Sequence, residues 1–218
     1  GSREPRWPLL ADGTYSYEPT FGEIWRRARA LGFTFVPYEA DEPRKAPPDD
    51  ASARIAERET IQTRNIMDRI VAPMPQAKAL IHVGYHHALE EPIELPNGKK
   101  GERWMANRLK AASGIDPLTV DQTAFQSPVD RPVVCALASE KDKKHALSTD
   151  LTVALPKPVI RRGRPDWRRA RGQVDVALPA GIRPPGVWSI IEARYIDEPA
   201  EAVPADRILL APGEDMPL

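Results

Sequence analysis

The stretch KALIHVGYHHALEE, Lys78 to Glu91, decides the reading of the fold, because three of the four histidines sit at the end of a short apolar run. Ala79, Leu80, Ile81 and Val83 before a glycine read as a buried strand, and Gly84 lets the chain turn where side chains would crowd. With side chains alternating, Leu80, His82 and Gly84 share one side, and Ile81, Val83 and Tyr85 the other. This places His82 in the interior and His86 and His87 at the rim. In open α/β sheets ligands bind outside the carboxyl ends of the strands, so polar residues here have a place to act.

Outward from this strand the same pattern repeats. Phe33 to Tyr38 reads as an earlier strand, weakened at its end by Pro37, with Glu39 immediately after it. Asp50 is an N-cap for a long helix from Ala51 to Val71. On the other side, the loop ELPNGKKG leads into a helix from about Gly101 to Ala112, which Gly114 stops. Pro117 to Val120 is the next strand, with Asp121 at its end, and Pro132 to Ala138 is a fourth. Strands joined by helical crossovers imply a parallel sheet. Upstream, residues 1–19 form a covering arm, and Thr20 with Glu23 makes a capping box for a helix that Gly32 ends. Beyond about Ser139 short β-like runs (Leu151 to Leu155, Val174 to Leu178, Trp188 to Tyr195, Arg207 to Leu210) alternate with turns rich in Pro, Gly and Arg. The expected fold class is α/β, a parallel sheet with crossover helices over residues 20–138, plus a Pro-rich irregular β appendage over 139–218.

Composition bounds the function. The 218 residues, 41% of them apolar, suffice for one domain with a packed core, whereas 24 prolines are roughly twice the usual share. Formal net charge is zero, so no global field favours nucleic acid or an anionic membrane. The single Cys135 excludes an internal disulfide framework and a multi-cysteine zinc site. No apolar run is long enough to span a membrane. Gly1-Ser2 looks like a cloning scar and the chain stops abruptly after DRILLA, so a fragment of a longer protein is expected.

Two constellations carry chemistry. The helix segment ERETIQTRNIMDRI sets Glu57 and Arg64 seven apart on one face, with Arg58 and Asn65 beside them. Its bland reading is a solvated face of ion pairs; its functional reading presents Arg64 to the crevice of the histidine strand. His86 and His87 are candidate metal ligands or bases, but adjacent residues on a strand point apart, and a metal centre needs three or four ligands. Glu39, Glu57, Glu90 or Asp121 would have to complete one. The run RRGRPDWRRAR, Arg161 to Arg171, is the one feature that would bind nucleic acid or another polyanion. Zero net charge and its internal Asp favour a surface loop.

Arg64, Asn65 and Met67 on a helix, followed by Gly84 to His87, resemble the second half of the superfamily of Tiki and TraB proteins, erythromycin esterases and the haem-uptake protein ChaN, over roughly Phe21 to Phe125. The resemblance implies a parallel α/β sheet and metal-assisted or general-base hydrolysis or, in some members, haem binding. It matches Arg64 to the helical Arg and His87 to the later His, with His86 as an alternative ligand. That superfamily opens with its own acidic and His motif, which nothing upstream of Phe21 supplies. The expectation is a hydrolase, esterase- or peptidase-like, with Arg64, His87 and Glu39 in catalysis, Asn65, Glu57 and Asp121 on the substrate, and His86 and His87 on a divalent ion (Zn²⁺, Mn²⁺ or Co²⁺) or, alternatively, haem. Its partner is a small-molecule or peptide substrate. The competing expectation is a non-catalytic domain that binds a ligand or protein. An unpaired sheet edge should be covered by Trp7, Leu9, Leu10 and Tyr15 of the arm, or by a second copy in a homodimer.

Overall fold

A computed structural model describes residues 7–13, 15–41, 50–92, 101–135, 149–161, 164–165, 179, 181–182 and 186–214. The chain divides into two compact units, one of residues 1–35 and 159–218, the other of residues 36–158. Both mix helices and strands; parallel pairing lies in the second unit and antiparallel ribbons lie in the first.

In the first unit, α1 (Pro19–Ala30) starts earlier than the capping box suggests. Glu18 is the N-cap, its carboxylate accepting from the N–H groups of Thr20 and Phe21, and Pro19 takes the first helical position where no donor is needed. Gly32, at φ +86°, follows the helix as expected. The antiparallel β7 (Ser189–Ala193) and β8 (Asp206–Leu210) form the expected C-terminal ribbon, with Leu210 buried. The described part of the N-terminal arm packs within its own unit, where Leu9 bridges Ala202 and the Val203 N–H donates to the Pro8 carbonyl. The short ribbon of β5 (Ile160–Arg161) and β6 (Arg164–Pro165) covers the start of the Arg-rich run; the rest of that run and Val174 to Leu178 lie outside the described residues.

The second unit is built on α2 (Ala51–Ile66), capped by Asp50 through the Ala53 N–H at 2.8 Å and continued by a π-helical turn over Met67–Val71. A 3₁₀ turn (Tyr85–Ala88) carries the paired histidines, and α3 (Met105–Ser113) ends at Gly114, left-handed at φ +70°. Ile66, Met105 and Leu109 form the core, with Tyr38, Ile70, Ile81 and Val83 packed against it. The sheet centres on β4 (Leu151–Pro156), parallel to β1 (Val120–Asp121) and β2 (Gln126–Ser127) and antiparallel to β3 (Val133–Cys135). Leu151 to Leu155 thus belongs to the parallel sheet rather than to the appendage, and Val133 to Cys135 runs antiparallel in it; Ala136 to Ala138 lie outside the described residues.

Phe33 to Tyr38 and Ala79 to Val83 are extended but join no ladder, which corrects the expected three-strand sheet. The physical reason lies in α2. Asn65 donates through Nδ2 to the carbonyls of Tyr38 (3.0 Å) and Glu39 (2.8 Å), and Arg69 donates to that of Pro37 (2.8 Å). Helix side chains thus satisfy the backbone that a neighbouring strand would otherwise satisfy. Alternation in the second stretch holds, with Ile81 and Val83 inward, but its other side faces solvent. Leu80 is 83% exposed, and His82 is exposed rather than interior.

The sheet is inverted in polarity. Val120, Val134, Leu151 and Leu155 are exposed on its outer face, whereas Asp121, Thr152 and Ala154 are buried on the inner one.

Candidate functional site

Helix α2 presents Arg58, Gln62 and Asn65 at spacings of four and three, which is one face of a helix, and the π-helical turn that continues it adds Arg69. This polar stripe grips residues 37–41. Arg58 forks onto Glu39, Nε meeting Oε2 at 3.3 Å and Nη2 meeting Oε1 more closely. Gln62 Nε2 donates to Glu39 Oε1 at 2.8 Å, and Arg69 Nη2 pairs with Asp41 at 2.5 Å. Partial burial works to raise the Glu39 pKa, but hydrogen bonds from Arg58 and Gln62 and the field of His87 outweigh it and hold the group below its ordinary 4.5. The depressed folded-state value means that stability from Glu39 is complete above that range and is lost as pH falls through it. The acid limb below the ordinary carboxylate range should therefore flatten in Glu39→Gln; an unchanged acid limb on a pH titration of urea midpoints would remove Glu39 as a contributor.

One step around the helix, Glu59 is 1% exposed and its Oε1 lies 2.8 Å from Nδ1 of His87, whose side chain is 17% exposed. The contact is close in distance, yet Nδ1 makes no aligned hydrogen bond among the described residues, and Glu59 Oε2 and Gln62 Oε1 are likewise buried without a hydrogen-bond partner there. Geometry decides this conflict: a carboxylate and an imidazole in contact with little water between them interact whatever the angle, and slight rotation aligns them. His86 stacks on Trp104 (centroids 4.8 Å, 21°), while His87 meets the same indole edge-on (5.8 Å, 85°).

Glu39, Asn65 and His87 are therefore brought together, with His86 adjoining through Trp104. Arg64 and Glu57 are exposed on α2, and the guanidinium at Glu39 belongs to Arg58 instead. Asp121 is buried on β1, against which the 3₁₀ turn packs. Reading α2 from its sequence missed Glu59 and Gln62, both 1% exposed. Their signal was available: with Ile66 they lie at spacings of three and four, the positions of a buried stripe.

A second polar group adjoins. Thr119 Oγ donates to Glu90 Oε1 at 2.5 Å, Lys110 pairs with Glu90 (3.0 Å) and Asp116 (2.5 Å), and the Thr119 N–H donates to Asp150 at 2.7 Å. Among the described residues no three His, Cys, Asp or Glu side chains gather as a metal-ligand group. No helix among them is long and apolar enough to cross a membrane. No family model, curated protein or solved structure matches the chain.

Proposed function

We propose that residues 36–158 carry a hydrolase site in which His87 is the general base and Glu59 its orienting carboxylate. The observation that carries this reading is the 2.8 Å approach of a 1%-exposed carboxylate to the imidazole Nδ1. Nδ1 turned to Glu59 leaves Nε2 to face an incoming molecule. There it takes a proton from water as the water oxygen bonds to a substrate carbonyl carbon, and returns the proton to the departing alcohol or amine. The buried carboxylate favours the imidazolium formed midway. Trp104 fixes both histidine rings, and Glu39 with Arg58 and Gln62 holds the adjoining backbone. The resemblance to the Tiki, TraB and erythromycin-esterase superfamily points to the same reaction class, with Arg58 rather than Arg64 as the arginine beside Glu39.

The test is hydrolysis of p-nitrophenyl acetate and a peptide p-nitroanilide by the whole chain, in EDTA and with Zn²⁺, Mn²⁺ or Co²⁺. General-base chemistry predicts turnover in EDTA that His87→Ala removes. A metal at His86 and His87 instead predicts turnover only with an ion, together with a thermal stabilisation of about 2.7 kcal/mol at a hundredfold excess over Kd that His86→Ala/His87→Ala removes. Background rates under every condition, with melting unmoved by metal, would leave the non-catalytic binding domain.

A further inference from the structure

The inner face of the β1–β4 ladder holds two acceptors that the described residues leave unused. Asp121 and Thr152 are register partners, 5% and 0% exposed, with side chains on the same face. Asp121 Oδ1 accepts from both the N–H and the hydroxyl of Thr123 at 2.7 Å, which fixes the carboxylate. Its other oxygen, Oδ2, and the Thr152 hydroxyl are buried without a hydrogen-bond partner among the described residues. A buried carboxylate oxygen with no donor is costly, and natural structures rarely keep one without a reason.

The surroundings are acidic. Just before these two strands Thr119 and Asp150 hydrogen-bond to each other, and Glu90 accepts from Thr119. Lys110, the cation of this group, is already shared between Glu90 and Asp116. Parallel pairing with β4 is interrupted between Asp121 and Gln126. The turn carrying His86 and His87 packs against β1.

We propose that Asp121 Oδ2 and Thr152 Oγ form a subsite for a primary ammonium group, so that the substrates are esters or amides whose acyl part carries an amine. This rests on His87 as the general base. An alkylammonium offers three N–H donors, enough to satisfy both acceptors, and its charge suits a face with an excess of carboxylates. A carboxylate or phosphate would meet the opposite sign of field.

The experiment has two arms on the whole chain. In the first, melting is followed with n-butylammonium, tetramethylammonium or potassium chloride at equal ionic strength. Butylammonium should raise Tm in a saturable way, and the other two cations should not; Asp121→Asn and Thr152→Val should lose the shift. If Asp121→Asn fails to fold, the near-isosteric Thr152→Val and the cation comparison on the native chain still decide. In the second arm, the p-nitrophenyl ester of β-alanine should exceed p-nitrophenyl butyrate in kcat/KM by on the order of tenfold or more, with the ratio falling towards unity in Thr152→Val. Equal turnover of both esters without a butylammonium shift overturns the subsite and spares the general base. An ammonium shift without turnover of either ester keeps the subsite and overturns the general base. A shift as large with potassium or tetramethylammonium overturns ammonium recognition.

Discussion

Replacing His87 with alanine is expected to cut hydrolysis by about 10²- to 10⁴-fold, the usual contribution of a positioned general base. Glu59→Gln should cost about 10²-fold while keeping the side-chain volume, because it removes the negative charge that holds Nδ1 and favours the imidazolium. Groups that act as a unit are not additive, so the double variant should be no slower than His87→Ala alone. The measurement is kcat/KM for the three variants, with near-ultraviolet circular dichroism to establish that each keeps its packing. Full activity in Glu59→Gln would reduce the buried carboxylate to a structural role, and additive losses would separate it from His87.

The second large effect concerns stability. Ile66 is 1% exposed and packs with Met105 and Leu109 where α2 meets α3. Ile66→Ala removes three carbons from a packed interior and should cost about 3 kcal/mol, within the 2–5 kcal/mol typical of such truncations. Leu118→Ala, at a position 72% exposed, should cost less than about 0.5 kcal/mol. Urea denaturation distinguishes the two: the Ile66→Ala midpoint should fall with little change in slope. A midpoint within error of the parent would mean that the α2–α3 contact is not where this unit draws its stability.

Local chemistry made much of the fold legible. Asp50 announced the start of α2, Gly114 the end of α3, and the β-rich ribbon at Trp188 to Leu210 followed from its residue types. What stayed hidden depends on partners distant in the chain. Phe33 to Tyr38 has the composition of a strand, and only the placement of Asn65 and Arg69 over its carbonyls shows why it needs no ladder. Likewise, the spacing of Glu57 and Arg64 marks a helix face, and so does that of Arg58, Gln62 and Asn65. Periodicity alone does not say which face meets another segment. Choosing the first face selected Arg64 where Arg58 lies, and passed over Glu59, which is buried. His82 failed for a related reason: alternation separates two sides without saying which is inside.

Helix α2 also sets the site in phase. The stripe that grips residues 37–41 and the carboxylate that meets His87 lie on one rod, and each residue along such a rod turns the next by about 100°. A residue inserted before Arg58 would carry the stripe and Glu59 round together. One inserted between Glu59 and Asn65 would turn the Asn65 clamp away while Glu59 still faced His87, uncoupling the scaffold from the chemistry. Among chains sharing this architecture, length changes should accumulate before Arg58 and be scarce from Arg58 to Asn65. The wider π-helical turn, beginning at Met67, falls just beyond that interval.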